Sequence, residues 1–270
     1  MTSNQKHSIS RWILSQPGHA GGGLRLFCFP YAGGSAAIFR DWKRFLPAEV
    51  DVCPIQLPGR ADRIQEGLAH SVESIVSSLI NEITPYLDRP FAFFGHSMGA
   101  LVAFELARRL ERGHLPAVSQ LFVSGRNAPD IREPRRDYEL PHRDFIAMLR
   151  KLNGTPREIL DNQEALALLL PIIRADFRIT QTYQFEPGAP LHCPIKAFGG
   201  IKDTCTPPES IRGWQRQTTG SFSLSILPGD HFFISESRTQ VLAIVGHELC
   251  RLLDRESQQK TRYRMISHHA

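Results

Sequence analysis

Short apolar runs alternate along this chain with segments whose apolar residues recur at helical spacing. Residues 24–30 (Leu-Arg-Leu-Phe-Cys-Phe-Pro), 50–57, 91–94, Gln120–Ser124, 194–198 and Phe222–Leu227 read as strands. Between them, Val72, Ile75, Val76, Leu79, Ile80, Ile83 and Leu87 fall on one helical face, which Pro85 should shorten or kink. Residues 100–110 predict a helix stopped at Gly113, residues 36–46 one stopped by Pro47, and residues 244–253 a closing helix. Strands that are mostly apolar and alternate with helices predict a mostly parallel sheet with helices on both faces, an α/β architecture.

One stretch breaks the rhythm. From residue 125 to residue 193 no strand signal occurs, while His142–Leu152 and residues 164–183 are helical in pattern, the second with Pro171 inside it. A structureless loop of that length is improbable in a compact domain. The expectation is a helical lid inserted at about 130–190 into a domain spanning 24–253, with flexible termini at 1–23 and 254–270. Among the apolar lid residues, Ile172, Ile173, Phe177 and Tyr183 are placed to line a pocket or to pack the lid on the sheet.

Composition narrows the class. With 41% hydrophobic and 22% charged residues, the chain reads as globular. A formal charge of +5, spread along the chain, favours an acidic partner without calling for nucleic acid. No apolar run approaches the roughly 18 residues of a membrane span, and the N-terminus lacks the apolar segment of a secretory signal. Five scattered cysteines without a CxxC pair read as free thiols in a reducing, cytoplasmic compartment. No metal-ligand cluster, dinucleotide fingerprint or phosphate-cradling loop is present, so no cofactor is expected.

The strongest chemical signal is Gly95-His96-Ser97-Met98-Gly99, set between a strand and a helix. In such an elbow the serine hydroxyl stands at a strained strand-to-helix turn, next to helix N–H groups that favour negative charge. Serine needs a base, and His231 follows the last strand in Leu227-Pro228-Gly229-Asp230-His231. The acid that orients it is expected to be Asp203, in the loop after residues 194–198. Asp230 is the rival, and Asp176 and Asp130 belong to the lid or its edge. The oxyanion donors are expected to be the backbone N–H groups of Met98 and of Ala32, the latter in the glycine-rich loop after the first strand. His96 is expected to pack or hydrogen-bond locally.

Several phrases together resemble the type II thioesterases that accompany polyketide and nonribosomal peptide synthetases, and their relatives that release acyl groups from fatty acid synthase. These are Phe29-Pro30-Tyr31-Ala32-Gly33-Gly34, Gln56-Leu57-Pro58-Gly59-Arg60, Phe94 to Ala100, Asn153-Gly154-Thr155-Pro156, Gly199-Gly200 before Asp203, and Gly229-Asp230-His231-Phe232-Phe233. The resemblance implies the α/β-hydrolase fold and hydrolysis of acyl groups from the phosphopantetheine arm of acyl- or peptidyl-carrier proteins. It also implies Ser97, Asp203 and His231 as the triad, with Met98 and Ala32 as oxyanion donors. The chain departs from the family in Tyr31, where Phe is frequent, and in Asp230, where a second glycine is common. An aspartate there would be strained if its φ were positive. Two other readings remain: a carboxylesterase or lipase acting on free esters, and a non-catalytic carrier-protein adaptor.

Overall fold

The computed structural model describes residues 10–14 and 23–267, with side chains to residue 258. Six strands form one fully parallel sheet: β1 (Leu24–Phe29), β2 (Val50–Pro54), β3 (Phe91–His96), β4 (Gln120–Ser124), β5 (Ile195–Gly200) and β6 (Phe222–Leu227), in the order β2-β1-β3-β4-β5-β6. The register explains why the inner strands read as mostly apolar runs. Phe27, Phe29, Phe91, Phe93, Leu121 and Val123 point to one face, while Leu26, Cys28, Ala92, Phe94 and Phe122 point to the other. Both faces are covered, so neither set of alternate residues has to be polar.

The first face is covered by α1 (Val72–Ile83) and α2 (Met98–Arg112). Helix α1 opens with a capping box between Ser71 and Ser74, which satisfies N–H groups that the first turn leaves open. It ends at Ile83, and Thr84-Pro85-Tyr86 tighten into a 3-10 turn, as the proline predicts. Gly113 caps α2. On the opposite face residues 36–46 do not form one helix. They make two 3-10 turns, Ala36–Phe39 and Trp42–Phe45, so that Phe39 and Trp42 both meet Phe94, at ring-centroid distances of 6.3 and 4.7 Å.

The insertion after β4 consists of α3 (His142–Leu152), α4 (Arg157–Asp161) and α5 (Gln163–Thr182), the last containing Pro171. It has a small core of its own, built on Phe145, Leu149, Leu160, Leu166 and Leu170. The short α4 was not legible in the sequence because five residues carry too little periodicity. Beyond β5 lie α6 (Pro208–Arg212) and, after β6, α7 (Phe233–Glu236) and α8 (Arg238–Ser267). Among the described residues no helix is long and apolar enough to cross a membrane.

Two terminal expectations change. Residues 1–9 and 15–22 lie outside the described residues, but residues 10–14 are held. Ile13 bridges antiparallel to Ile55, Gln56 N–H donates to the Trp12 carbonyl at 2.8 Å, and Arg63 sits 4.3 Å over the Trp12 ring. This short strap lies along the outer edge of the sheet beside β2 and occupies backbone groups that would otherwise be open. At the other end α8 continues to Ser267 rather than ending near 253, because residues 254–267 are polar yet contain no glycine or proline to stop a helix.

Phe94 is fully buried beneath Phe39, Trp42, Phe122 and Phe198. Phe94→Ala should therefore destabilise the fold by about 3–5 kcal/mol. Urea denaturation measures this, and a loss under about 1 kcal/mol would mean that the aromatic cluster collapses onto the cavity.

Candidate active site

The polypeptide turns sharply where β3 meets α2. Ser97 adopts φ 53°, ψ −114°, outside the regions open to most L-residues. The turn is possible because of its neighbours. A Cβ on Gly95 would run into the Gly99 backbone, and one on Gly99 would run into the Phe29 and Pro30 carbonyls of the first strand and its loop. Ser97 N–H donates to the Ser124 carbonyl at 2.8 Å, so β4 also holds the turn.

His231 lies in the loop after β6. Its Nε2 is 3.1 Å from Ser97 Oγ and its Nδ1 is 2.8 Å from Asp203 Oδ2. An ionised Asp203 can only accept, so Nδ1–H donates to it and Nε2 is left to accept the serine proton. Asp203 is deeply buried. Burial alone would raise its pKa, but the hydrogen bond and charge of His231, the Thr206 hydroxyl and the Cys205 N–H outweigh this and lower it to about 2.

The loop carrying His231 is braced from beneath. Gly200 has no room for a Cβ because the Gly229 and Asp230 carbonyls pass over it. Lys202 N–H donates to the Gly229 carbonyl at 2.9 Å. The strained position in this loop is Gly229, at φ 116°, and Asp230 is not among the residues of positive φ. The aspartate that departs from the family pattern thus carries no steric cost. Its Oδ1 caps Phe232 N–H at 2.8 Å, and its Oδ2 accepts from Asn153 of the lid at 3.3 Å. It does not reach the His231 ring in this way, whereas Asp203 does.

His96 is fully buried beneath the same loop. The His231 carbonyl can only accept, so His96 Nε2–H donates to it at 3.0 Å, and His96 Nδ1 accepts from the Ser124 hydroxyl at 2.8 Å. Burial first, and then the nearby His231, lower its pKa to about 3. The sequence placed His96 as a local hydrogen-bonding residue but carried no sign that its partner is the backbone of His231.

Ala32 and Ser97 line one cleft with Arg126, Phe177, His231 and Phe232. A second cavity, toward α3 and α4, shares Tyr31, Ala32, Leu152, Phe177 and Phe232 with it, and Ile173 lines only the second. Of the four apolar lid residues, Phe177 and Ile173 thus face cavities. Ile172 is buried away from both, and Tyr183 packs on the main core with its hydroxyl donating to Glu105 at 2.6 Å. Met98 begins α2 directly after Ser97. Sequence reasoning named Arg60 and Asp176 separately but missed that they meet in a buried ion pair at 2.6 Å, and it missed Arg126, which pairs with Glu133 at 3.3 Å. Asp130 pairs with Arg216 on the surface side, at 2.7 Å.

A parallel sheet with helices on both faces and a serine elbow at the carboxyl end of a central strand defines the α/β-hydrolase class. Comparison with known proteins gives the family. A family model described as thioesterase domain matches residues 24–249. Gramicidin S biosynthesis protein GrsT of Aneurinibacillus migulanus is 43% identical over 242 residues, 89% of this chain and 94% of that protein. Linear gramicidin dehydrogenase LgrE of Brevibacillus parabrevis is also 43% identical, over 90% of this chain and 94% of its own length. The solved structure of the type II thioesterase BorB from the borrelidin biosynthetic cluster superposes with a TM-score of 0.81 at 36% identity, covering 88% of this chain and 97% of that one. The chain belongs to the thioesterase family, and the resemblance to its type II members is borne out.

His96 and Asp203 both titrate below their unfolded values. As pH falls, the unfolded chain takes up protons first. Both groups therefore contribute stability that is present at neutral pH and lost on acidification, His96 between about 6.5 and about 3, Asp203 between about 4 and about 2. His96→Gln should flatten the fall in unfolding free energy between pH 6.5 and pH 4, where one buried neutral histidine contributes up to about 1.4 kcal/mol per pH unit. Denaturant titrations at stepped pH report the slope, and an unchanged slope would show that His96 is protonated in the fold.

Proposed function

We propose that this thioesterase hydrolyses acyl thioesters held on the phosphopantetheine arm of carrier proteins in nonribosomal peptide or polyketide assembly, as an editing or release step in the cytoplasm. The unit that does so is the 24–253 domain with its lid. The observation that carries the chemistry is the hydrogen-bonded chain Asp203–His231–Ser97, at 2.8 and 3.1 Å.

In this reading Ser97 Oγ attacks the thioester carbonyl while His231 Nε2 takes its proton. Asp203 stays ionised and stabilises the imidazolium. The negative charge on the former carbonyl oxygen is held by the N–H groups of Met98 and Ala32. Collapse breaks the carbon–sulfur bond, and the departing thiolate receives the proton from His231. A water then attacks the acyl-serine with His231 again as base, and the carboxylic acid and free Ser97 hydroxyl are restored.

The name of LgrE assigns that relative a different reaction. The loop after β1, where a dinucleotide fingerprint would lie, here reads Pro30-Tyr31-Ala32-Gly33-Gly34-Ser35 and leads into a 3-10 turn of four residues. It offers neither the G-x-G-x-x-G spacing nor a long helix whose N-terminus could take a pyrophosphate. Hydrolysis fits these residues better.

The partner is read from the surface. Arg132, Arg143, Lys151 and Arg157 stand exposed on and beside the lid, whereas Arg135, Arg136 and Arg150 are engaged with Glu133, Glu139 and Asp161. The exposed set suits an acidic carrier surface. Hydrolysis of the same acyl group on a carrier protein and on coenzyme A should differ in kcat/KM, favouring the carrier, and the advantage should shrink from ~0.1 M to ~1 M salt. A ratio indifferent to salt would remove the electrostatic part of this reading.

Ser97→Ala should lower hydrolysis at least about a thousandfold with the fold intact. Asp203→Asn should impair turnover far more than Asp230→Asn, since only Asp203 bonds the imidazole. Steady-state kinetics with circular dichroism on each variant decide both points. An active, folded Ser97→Ala, or an Asp230→Asn as impaired as Asp203→Asn, would overturn the assignment.

A further inference from the structure

Arg60 and Asp176 are both almost completely buried and form a two-point pair, Nη1 to Oδ2 at 2.6 Å and Nη2 to Oδ1 at 2.9 Å. They come from elements on either side of the loop that follows β1: Arg60 from the loop after β2, Asp176 from the lid helix α5. Neither spends all its bonding capacity on the other. Asp176 Oδ2 also accepts the Gly33 N–H at 2.7 Å, and Arg60 Nη1 also donates to the Gly34 carbonyl at 3.1 Å. The pair therefore grips one backbone donor and one backbone acceptor of consecutive residues in the loop.

Other contacts complete the hold. Gln56 accepts the Ala36 N–H at 2.9 Å and donates to the Arg60 carbonyl at 3.0 Å, tying the guanidinium's own backbone to the same loop. Gly33 sits at φ 77° with Ile173 of α5 pressed against the place a side chain would fill. Within the turn Gly34 N–H donates to the Tyr31 carbonyl at 2.9 Å. A planar trans peptide points its N–H opposite to its carbonyl, so that bond directs the Ala32 N–H outward from the turn. Ala32 and Ser97 line the same cleft.

We propose that Arg60 and Asp176 are positioning residues, which set the Ala32 N–H for the transition state by fixing the Gly33 and Gly34 peptides beside it. The proposal rests on the reading of Ser97, His231 and Asp203 as a triad with Ala32 as an oxyanion donor. A buried ion pair is a costly way merely to pin a helix, since an apolar pair of similar volume serves stability as well or better. What an apolar pair cannot do is accept the Gly33 N–H and donate to the Gly34 carbonyl.

The test is Arg60→Met/Asp176→Leu, which keeps volume and removes both backbone contacts. Its thermal midpoint should stay near that of the parent chain, while kcat falls on the order of 10²-fold, the loss expected when a catalytic group shifts by about 1 Å. KM should change little. The affinity of an alkylboronic acid, whose adduct with Ser97 is tetrahedral, should fall by the same factor as kcat/KM. Parent-like kcat, or lowered kcat with unchanged boronate affinity, would overturn the proposal and leave the pair as a lid anchor. If the double variant does not fold, Asp176→Asn serves, because an amide oxygen still meets Gly33 N–H without the charge. Its loss should be about tenfold, again shared by boronate affinity, and a loss of activity alone would overturn the proposal. Ser97→Ala run in parallel separates the two ideas: activity surviving there removes the triad reading, whereas a dead Ser97→Ala beside a fully active double variant removes only the positioning role.

Discussion

The structure turns on one close approach: α2 starts so near the end of β1 that Gly99 touches the Phe29 and Pro30 carbonyls. Nothing larger than glycine fits there, and nothing larger fits at Gly95 on the other side of the turn. The approach forces the backbone between them into the state seen at Ser97, φ 53°, ψ −114°. Such a conformation costs on the order of 1–3 kcal/mol and persists only where the surroundings over-determine it. Here they do. β3 is the third strand of the ordered sheet, paired on both sides, and α2 is buried along most of its length.

The other parts of the site are arranged around that turn by the ends of neighbouring strands. β1 supplies the loop with Ala32, β5 the loop with Asp203, and β6 the loop with His231. Because all six strands are parallel, their carboxyl ends meet at one edge, and residues from distant stretches of sequence come together without any strand bending toward them. The helical insertion packs over this edge. It touches the His231 loop where Gly154 lies on the Phe232 ring and Asn153 donates to Asp230, and it touches the β1 loop through Asp176.

The electrostatics are settled by burial and partner together. Two titratable groups contact His231, one at its backbone carbonyl and one at its ring, and the fold drives both below their ordinary pKa for different reasons. His96 is uncharged because it is buried next to another imidazole, so it can donate one hydrogen bond and accept one. Asp203 is charged in spite of burial because His231, the Thr206 hydroxyl and the Cys205 N–H all stabilise its carboxylate. A neutral histidine holds the backbone of His231 and an anion bonds its ring, so the orientation of this imidazole is fixed at both points.

By itself the sequence determined the strands, the elbow, the order Ser97, Asp203, His231 and the presence of a helical insertion. The physical reason is that each of these is local or ordered along the chain. Periodicity, glycines flanking a serine, and a histidine just past a strand are all visible within a few residues. It did not determine that residues 36–46 form two turns, since that depends on both Phe39 and Trp42 reaching Phe94. Nor did it reveal that Trp12 and Ile13 strap the sheet edge within an otherwise polar segment. The choice of Asp203 over Asp230 could be argued from loop position, but only tertiary structure showed Asp230 spending its oxygens on Phe232 and Asn153. His96 and Ser124 lie 28 residues apart, and Arg60 and Asp176 lie 116 apart. A hydrogen bond leaves no periodicity in the chain, so partners that far apart are legible only once the sheet has brought its edges together.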